Sequence, residues 1–178
     1  LASRSDIGFP PFASLIADYL LASSNRSAAK RKTDGWSRPI AISNHGRVGK
    51  ALELLWEGLR PFVERELKAY HGDHWASEVK LVLRDTRFGG GKADAMQDVA
   101  VQLVIMDRSW GEVFRKTLGK AERSLVNELL DVRNRWAHQS PFSGDDADRA
   151  LDSVLRLLTA VSAPQIGERR VGKECRSR

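Results

Sequence analysis

Residues 145–162 read DDADRALDSVLRLLTAVS, and the apolar members Ala147, Ala150, Leu151, Val154, Leu158 and Val161 recur at three- and four-residue steps. That spacing puts them on one face of an α-helix. Ser143 and Asp146 stand ahead of it in a capping-box-like spacing, and Pro164 marks its end. The same period recurs on working back along the chain. Leu125, Leu129, Val132 and Trp136 mark a helix over about 120–138, closed by Pro141. Met96, Val99, Leu103, Met106, Trp110, Val113 and Phe114 mark another, which tolerates Gly111 and stops near Gly119. Val48, Leu52, Leu55, Leu59, Phe62 and Val63 mark a further one, capped by Ser43 or Asn44 and ended by the His71-Gly72 region. Pro61 is expected to kink or restart it, since a proline inside a helix costs about 3 kcal/mol. Four amphipathic helices, a short link between the last two and no internal repeat predict an all-α fold: an antiparallel helical bundle of about four main helices over about 44–163.

The rest of the chain lacks that order. Residues 72–92, with Gly72, an alternating Val79, Leu81 and Leu83, and Gly89-Gly90-Gly91, read as a connector with one short extended piece. Residues 1–43 show no sustained period; Phe12 to Ala22 is the one candidate for a short helix there. The expected organisation is a leader or arm over 1–42, a helical domain over 43–166 and a basic tail over 167–178.

Composition narrows the function classes. A chain of 178 residues with 42% hydrophobic and 29% charged positions is the size and make-up of one globular domain. No run approaches the roughly 18 apolar residues of a membrane span, and Leu1 to Pro11 has neither the charged start nor the long apolar core of a secretory signal. The single cysteine, Cys175, excludes an intramolecular disulfide framework and a cysteine-rich zinc module. A reducing, cytoplasmic setting is expected. The net charge of +6 invites a nucleic-acid reading, but its position weakens that inference. Residues 1–43 hold six basic and three acidic side chains, 44–166 hold 18 of each, and 167–178 hold five and two. The excess therefore lies in Lys30-Arg31-Lys32 and its surroundings and in the run from Arg169 to Arg178, with a neutral centre.

Two motifs fail on spacing. Gly89-Gly90-Gly91-Lys92 resembles a phosphate cradle, but Thr86 and Ala93 stand where a P-loop needs glycine and Ser or Thr. His71-Gly72-Asp73-His74 offers two imidazoles with nothing at ligand spacing to complete a metal site. Neither a metal nor a cofactor is expected.

Arg133-Asn134-Arg135-Trp136-Ala137-His138 remains, at the end of the third helix. Arginine supplies a permanent planar cation for a phosphate, and histidine exchanges protons near neutral pH. Asn134 and His138 are four apart and nearly share a face, Arg133 sits one step round, and the three can border one cleft. Trp136 stays on the core stripe and pins the helix. The competing reading is a cationic helix C-terminus, where Arg and His favour the macrodipole. With this composition chance alone yields about 0.45 Arg-x4-His matches, so spacing by itself favours that second reading.

Context outside these six residues changes the balance. Asp131 to His138, Gln139-Ser-Pro-Phe142 and Asp145 to Asp152 together resemble the HEPN superfamily of helical domains. The nearest branch looks like the one named after the C-terminal domain of a eukaryotic nuclear mRNA-surveillance endoribonuclease, found in bacteria at the start of large defence-associated ATPases. Ser43 to Leu52, Pro61 to Leu67 and Val113 to Leu125 fit the same branch, so the resemblance covers roughly 43–165. Residues 1–42 have no counterpart in it, and Arg169 to Arg178 look like a frame change or vector-like readthrough. Both ends are candidates for non-native sequence. The resemblance implies metal-independent RNA cleavage, with Arg133 and His138 at the positions that serve it and Asn134 as the polar residue after the arginine. One motif histidine per chain is too few for both a base and an acid, so a homodimer with a composite cleft is expected. The function expected is an endoribonuclease or RNA-targeting effector of a defence or toxin-like system. The alternative is a non-catalytic RNA- or nucleotide-binding and dimerisation module fused to, or docking, an ATPase.

Overall fold

Ser43, itself extended, precedes the first helix, and its Oγ accepts the Gly46 N–H at 3.1 Å. A computed structural model describes residues 42–84, 86 and 95–162. From this cap α1 (Asn44–His71) runs for 28 residues without a break at Pro61. The helix does not restart at the proline, because Pro61 and Glu57, whose carbonyl loses its helical donor to it, are both exposed. Water can serve that carbonyl, while Leu59, Phe62 and Val63 stay fully buried on the opposite face. Gly72 ends α1 at φ 58°, donating its N–H to the Lys68 carbonyl, a backbone conformation that glycine adopts without penalty.

A 3-10 turn over Gly72–His74 leads into α2 (Trp75–Arg84). The extended piece expected here is a helix. Val79, Leu81 and Leu83 alternate, yet Val79 and Leu83 are also four apart and share the buried face of α2, while Leu81 is 54% exposed. After the 3-10 turn Ala95–Gln97, Asp98 caps α3 (Val99–Arg108), accepting the Ala100 N–H on Oδ1 at 2.8 Å. This helix is shorter than its apolar stripe predicts, and Met96 precedes it. Beyond Arg108 the chain turns, with Val113 bonding back to Ser109 and Arg115 to Trp110, each at 2.9 Å, before the 3-10 turn Phe114–Lys116. Gly111 is a poor helix former. The turns it permits still bury Trp110, Val113, Phe114 and Leu118.

The last two helices start and end where their period places them: α4 (Lys120–Ala137) and α5 (Gly144–Ser162). Ser143 and Asp146 cap α5 reciprocally, both bonds being 3.1 Å. Cross-helix contacts set the directions. Glu128 meets Arg149 while Arg135 meets Asp146, so α4 and α5 run antiparallel. Arg133 with Asp98 and Arg123 with Asp107 make α3 and α4 antiparallel too. Arg47 reaches Asp148 and Gly58 lies under Leu158, so α1 runs parallel to α5. Helix α1 touches all four other helices and is the centre of the bundle. The fold is all-α, an antiparallel bundle of four main helices with α2, ten residues long like α3, added beside them. Among the described residues no helix is long and apolar enough to cross a membrane. The Phe12–Ala22 segment, the glycine run at 89–91, Cys175 and both basic ends lie outside the described residues.

Candidate functional site

The end of α4 is held against the start of α1 by a reciprocal pair of bonds. Trp136 Nε1 donates to the His45 carbonyl at 3.2 Å, and His45 Nε2 lies 3.0 Å from the Trp136 carbonyl. A carbonyl can only accept, so this bond requires the proton of His45 on Nε2. The two rings stack at 5.4 Å with 17° between their planes. Gly49, one turn on from His45, leaves the room this needs, since a Cβ there would lie 2.9 Å from Trp136 Nε1. Asn44 Nδ2 donates to the Phe142 carbonyl at 3.1 Å, tying the link between α4 and α5 to the same corner.

That link opens with a Schellman turn. Gln139 N–H donates to the Trp136 carbonyl and Ser140 N–H to the Arg135 carbonyl, both at 3.0 Å. Gln139 occupies the left-handed position, φ 56°, that glycine usually fills. Just before it, His138 is the C-terminal cap, its N–H donating to the Asn134 carbonyl at 3.0 Å and its side chain exposed. Arg135 Nη2 bonds the Pro141 carbonyl at 3.3 Å and Asp146 at 3.2 Å, with its guanidinium over the Phe142 ring. That guanidinium and the Ser143 N–H hold the Asp146 carboxyl below its usual range.

Arg133 points elsewhere. Its side chain is only 16% exposed, and Nη2 donates to Asp98 Oδ2 at 2.7 Å, leaving Oδ1 to cap α3. The pair stands in the wall of a cleft of about 440 Å³ between α1 and α4. Trp136 and Arg133 come from α4, Glu53 and Trp56 from α1, and Asp98 lies beside them. Trp56 is half-buried, with its Nε1 donating to the Met96 carbonyl at 3.1 Å. Asn134 and His138 are not among the residues that line this cleft. At about 100° per residue, His138 stands roughly 140° round α4 from Arg133. The chain therefore offers Arg133 inside a cleft and His138 on an exposed corner.

Sequence reasoning missed Asp98, Trp56, Glu53 and His45 as parts of this site. His45 lies 91 residues from Trp136 and Asp98 35 residues from Arg133, separations that no local spacing rule spans. A second groove, about 210 Å³, lies between α4 and α5 and is lined by Glu128, Asp131, Arg135, Asp146 and Arg149. The hydrogen bond from Arg149 holds the Glu128 carboxyl below its usual range, against the opposing effect of burial. Glu128 pairs with Arg149 and Asp146 with Arg135 within this groove.

A family model described as Swt1-like HEPN matches residues 50–162, well over half of the chain and including all five helices in whole or in large part. No curated protein and no solved structure matches the chain. Fold and family model agree: the chain belongs to the Swt1-like HEPN family.

Proposed function

We propose that the domain acts on RNA as a metal-independent endoribonuclease, with Arg133, Asn134 and His138 as its catalytic set. The observation that supports this best is the build of the α4 end. The Schellman turn and the Trp136–His45 pair fix the backbone that carries all three residues, and they leave His138 open to solvent. In the reaction a ribose 2′-oxygen attacks the adjacent phosphorus while the bond to the 5′-oxygen breaks. The 2′-hydroxyl proton passes to a base, and the leaving oxygen takes a proton from an acid. His138 serves one of these transfers, Arg133 stabilises the extra negative charge, and Asn134 supplies a polar contact. DNA lacks the attacking hydroxyl.

A homodimer supplies what one chain does not. Arg133 and His138 are directed about 140° apart on α4, and a two-fold interface at this corner would bring a second His138 to the same phosphate. A role in a bacterial defence or toxin-like system, with a fused or docked ATPase as controlling partner, belongs to the same proposal. One observation favours a non-catalytic RNA- or nucleotide-binding module instead: Arg133 is already engaged by Asp98, so it also has a structural task.

Cleavage of labelled single-stranded RNA by the full chain in EDTA tests the choice. Arg133→Ala and His138→Ala are each expected to slow cutting by about 10²-fold or more, with Arg133→Lys and thermal melting separating lost chemistry from lost folding. Cutting that survives both substitutions removes the catalytic set. RNA binding without cutting in any version selects the binding module.

A further inference from the structure

The cleft between α1 and α4 has features that phosphate chemistry does not account for. Trp56 and Trp136 both border it, and each spends its indole N–H on a backbone carbonyl, of Met96 and of His45. Their orientations are thereby set, and what they can offer a ligand is ring surface. Arg133 and Asp98 neutralise each other across 2.7 Å. The charge left in the lining is the Glu53 carboxylate, whose partner Lys50 lies outside it and makes a surface pair with both side chains more than half exposed. Such a pair yields readily to a competing donor. Beyond the Arg133–Asp98 pair, the cleft has aromatic borders and one carboxylate held only by a surface pair. It suits a flat, uncharged group with N–H donors on its edge, and about 440 Å³ lies within the range of small-ligand sites.

We infer that this cleft is a nucleobase subsite that selects guanine. The inference rests on the RNA reading above and names the base that the site would hold. Stacking against indole admits any base, so selection falls to Glu53. Guanine presents two neighbouring donors, N1–H and the N2 amino group, and a carboxylate can accept both. Adenine and cytosine place a ring-nitrogen acceptor beside their amino group, and uracil flanks its one N–H with two carbonyls; each of these sets an acceptor against the carboxylate.

Titration of the full chain with guanosine, adenosine, cytidine and uridine, followed by the indole N–H signals of its five tryptophans, tests this without any cleavage assay. Trp56→Phe and Trp136→Phe assign the two relevant signals. Guanosine is expected to shift both and to bind about ten-fold more tightly than the other three. Glu53→Gln, a change at an exposed side chain, is expected to cut that preference to about two-fold or less. Equal binding of all four nucleosides, a preference that survives Glu53→Gln, or no shift of these signals by any nucleoside would each overturn the guanine subsite. Loss of RNA cleavage in the EDTA assay would instead strike the catalytic reading, so the two failures are distinct.

Discussion

Gln139 holds a conformation that its side chain disfavours, one residue after the histidine proposed for chemistry. The left-handed backbone is needed because the Schellman turn closes on the Trp136 and Arg135 carbonyls. Glycine would adopt it without the Cβ conflict, so Gln139→Gly is expected to stabilise the domain by about 0.5–1 kcal/mol, read as a higher denaturant midpoint at unchanged slope. A lower midpoint would mean that the glutamine side chain makes a compensating contact. At this scale the sequence was partly legible. Arg133, Asn134 and His138 were visible as chemically able residues close together on one helix, and the structure places them on one fixed stretch of backbone. It puts Arg133 alone of the three in the lining of the cleft, because the helical rotation from 133 to 138 carries His138 to another side.

Among the elements, α1 shows which local rules held and which yielded to packing. Its cap at Ser43 and its apolar stripe were legible, since both depend on neighbours within a turn or two. Continuity through Pro61 was not, because it depends on which face meets water. The same limit explains α2: Val79 and Leu83 fit a strand period and a helix period equally, and only burial separates the two readings. Close approach of α1 to α5 rests on Gly58, where an added Cβ would run into the Leu158 side chain. Gly58→Ala is accordingly expected to cost about 1–3 kcal/mol in a denaturant titration. Restoration of most of that stability by Leu158→Val in the same chain would localise the strain to this contact. A neutral result for the single change would mean that Leu158 moves aside without loss.

Across the whole molecule, charge is distributed so that the helical domain is balanced, and opposite charges hold its surface helices in register. Asp146 and Glu128 join α5 to α4 through Arg135 and Arg149, and both carboxyls are held below their usual range. Their ionised forms are favoured by folding. The contribution is full above the unfolded carboxyl range, near about pH 4, and is lost as pH falls through the lower folded values. Stability is therefore expected to decline as pH falls below about 4, with less decline in a chain carrying Asp146→Asn and Glu128→Gln together. Equal acid sensitivity in both chains would assign the loss to other groups. Sequence alone determined the all-α class, the ends of α4 and α5, the reciprocal Ser143–Asp146 cap and the family resemblance, because helical period and capping are written within a few residues of one another. Tertiary structure alone decided that Asp98 holds Arg133, that His45 stacks on Trp136, and that Trp56 and Glu53 complete the cleft. Those contacts join residues tens of positions apart, and their geometry is set by how α1, α3 and α4 cross once their apolar faces are buried.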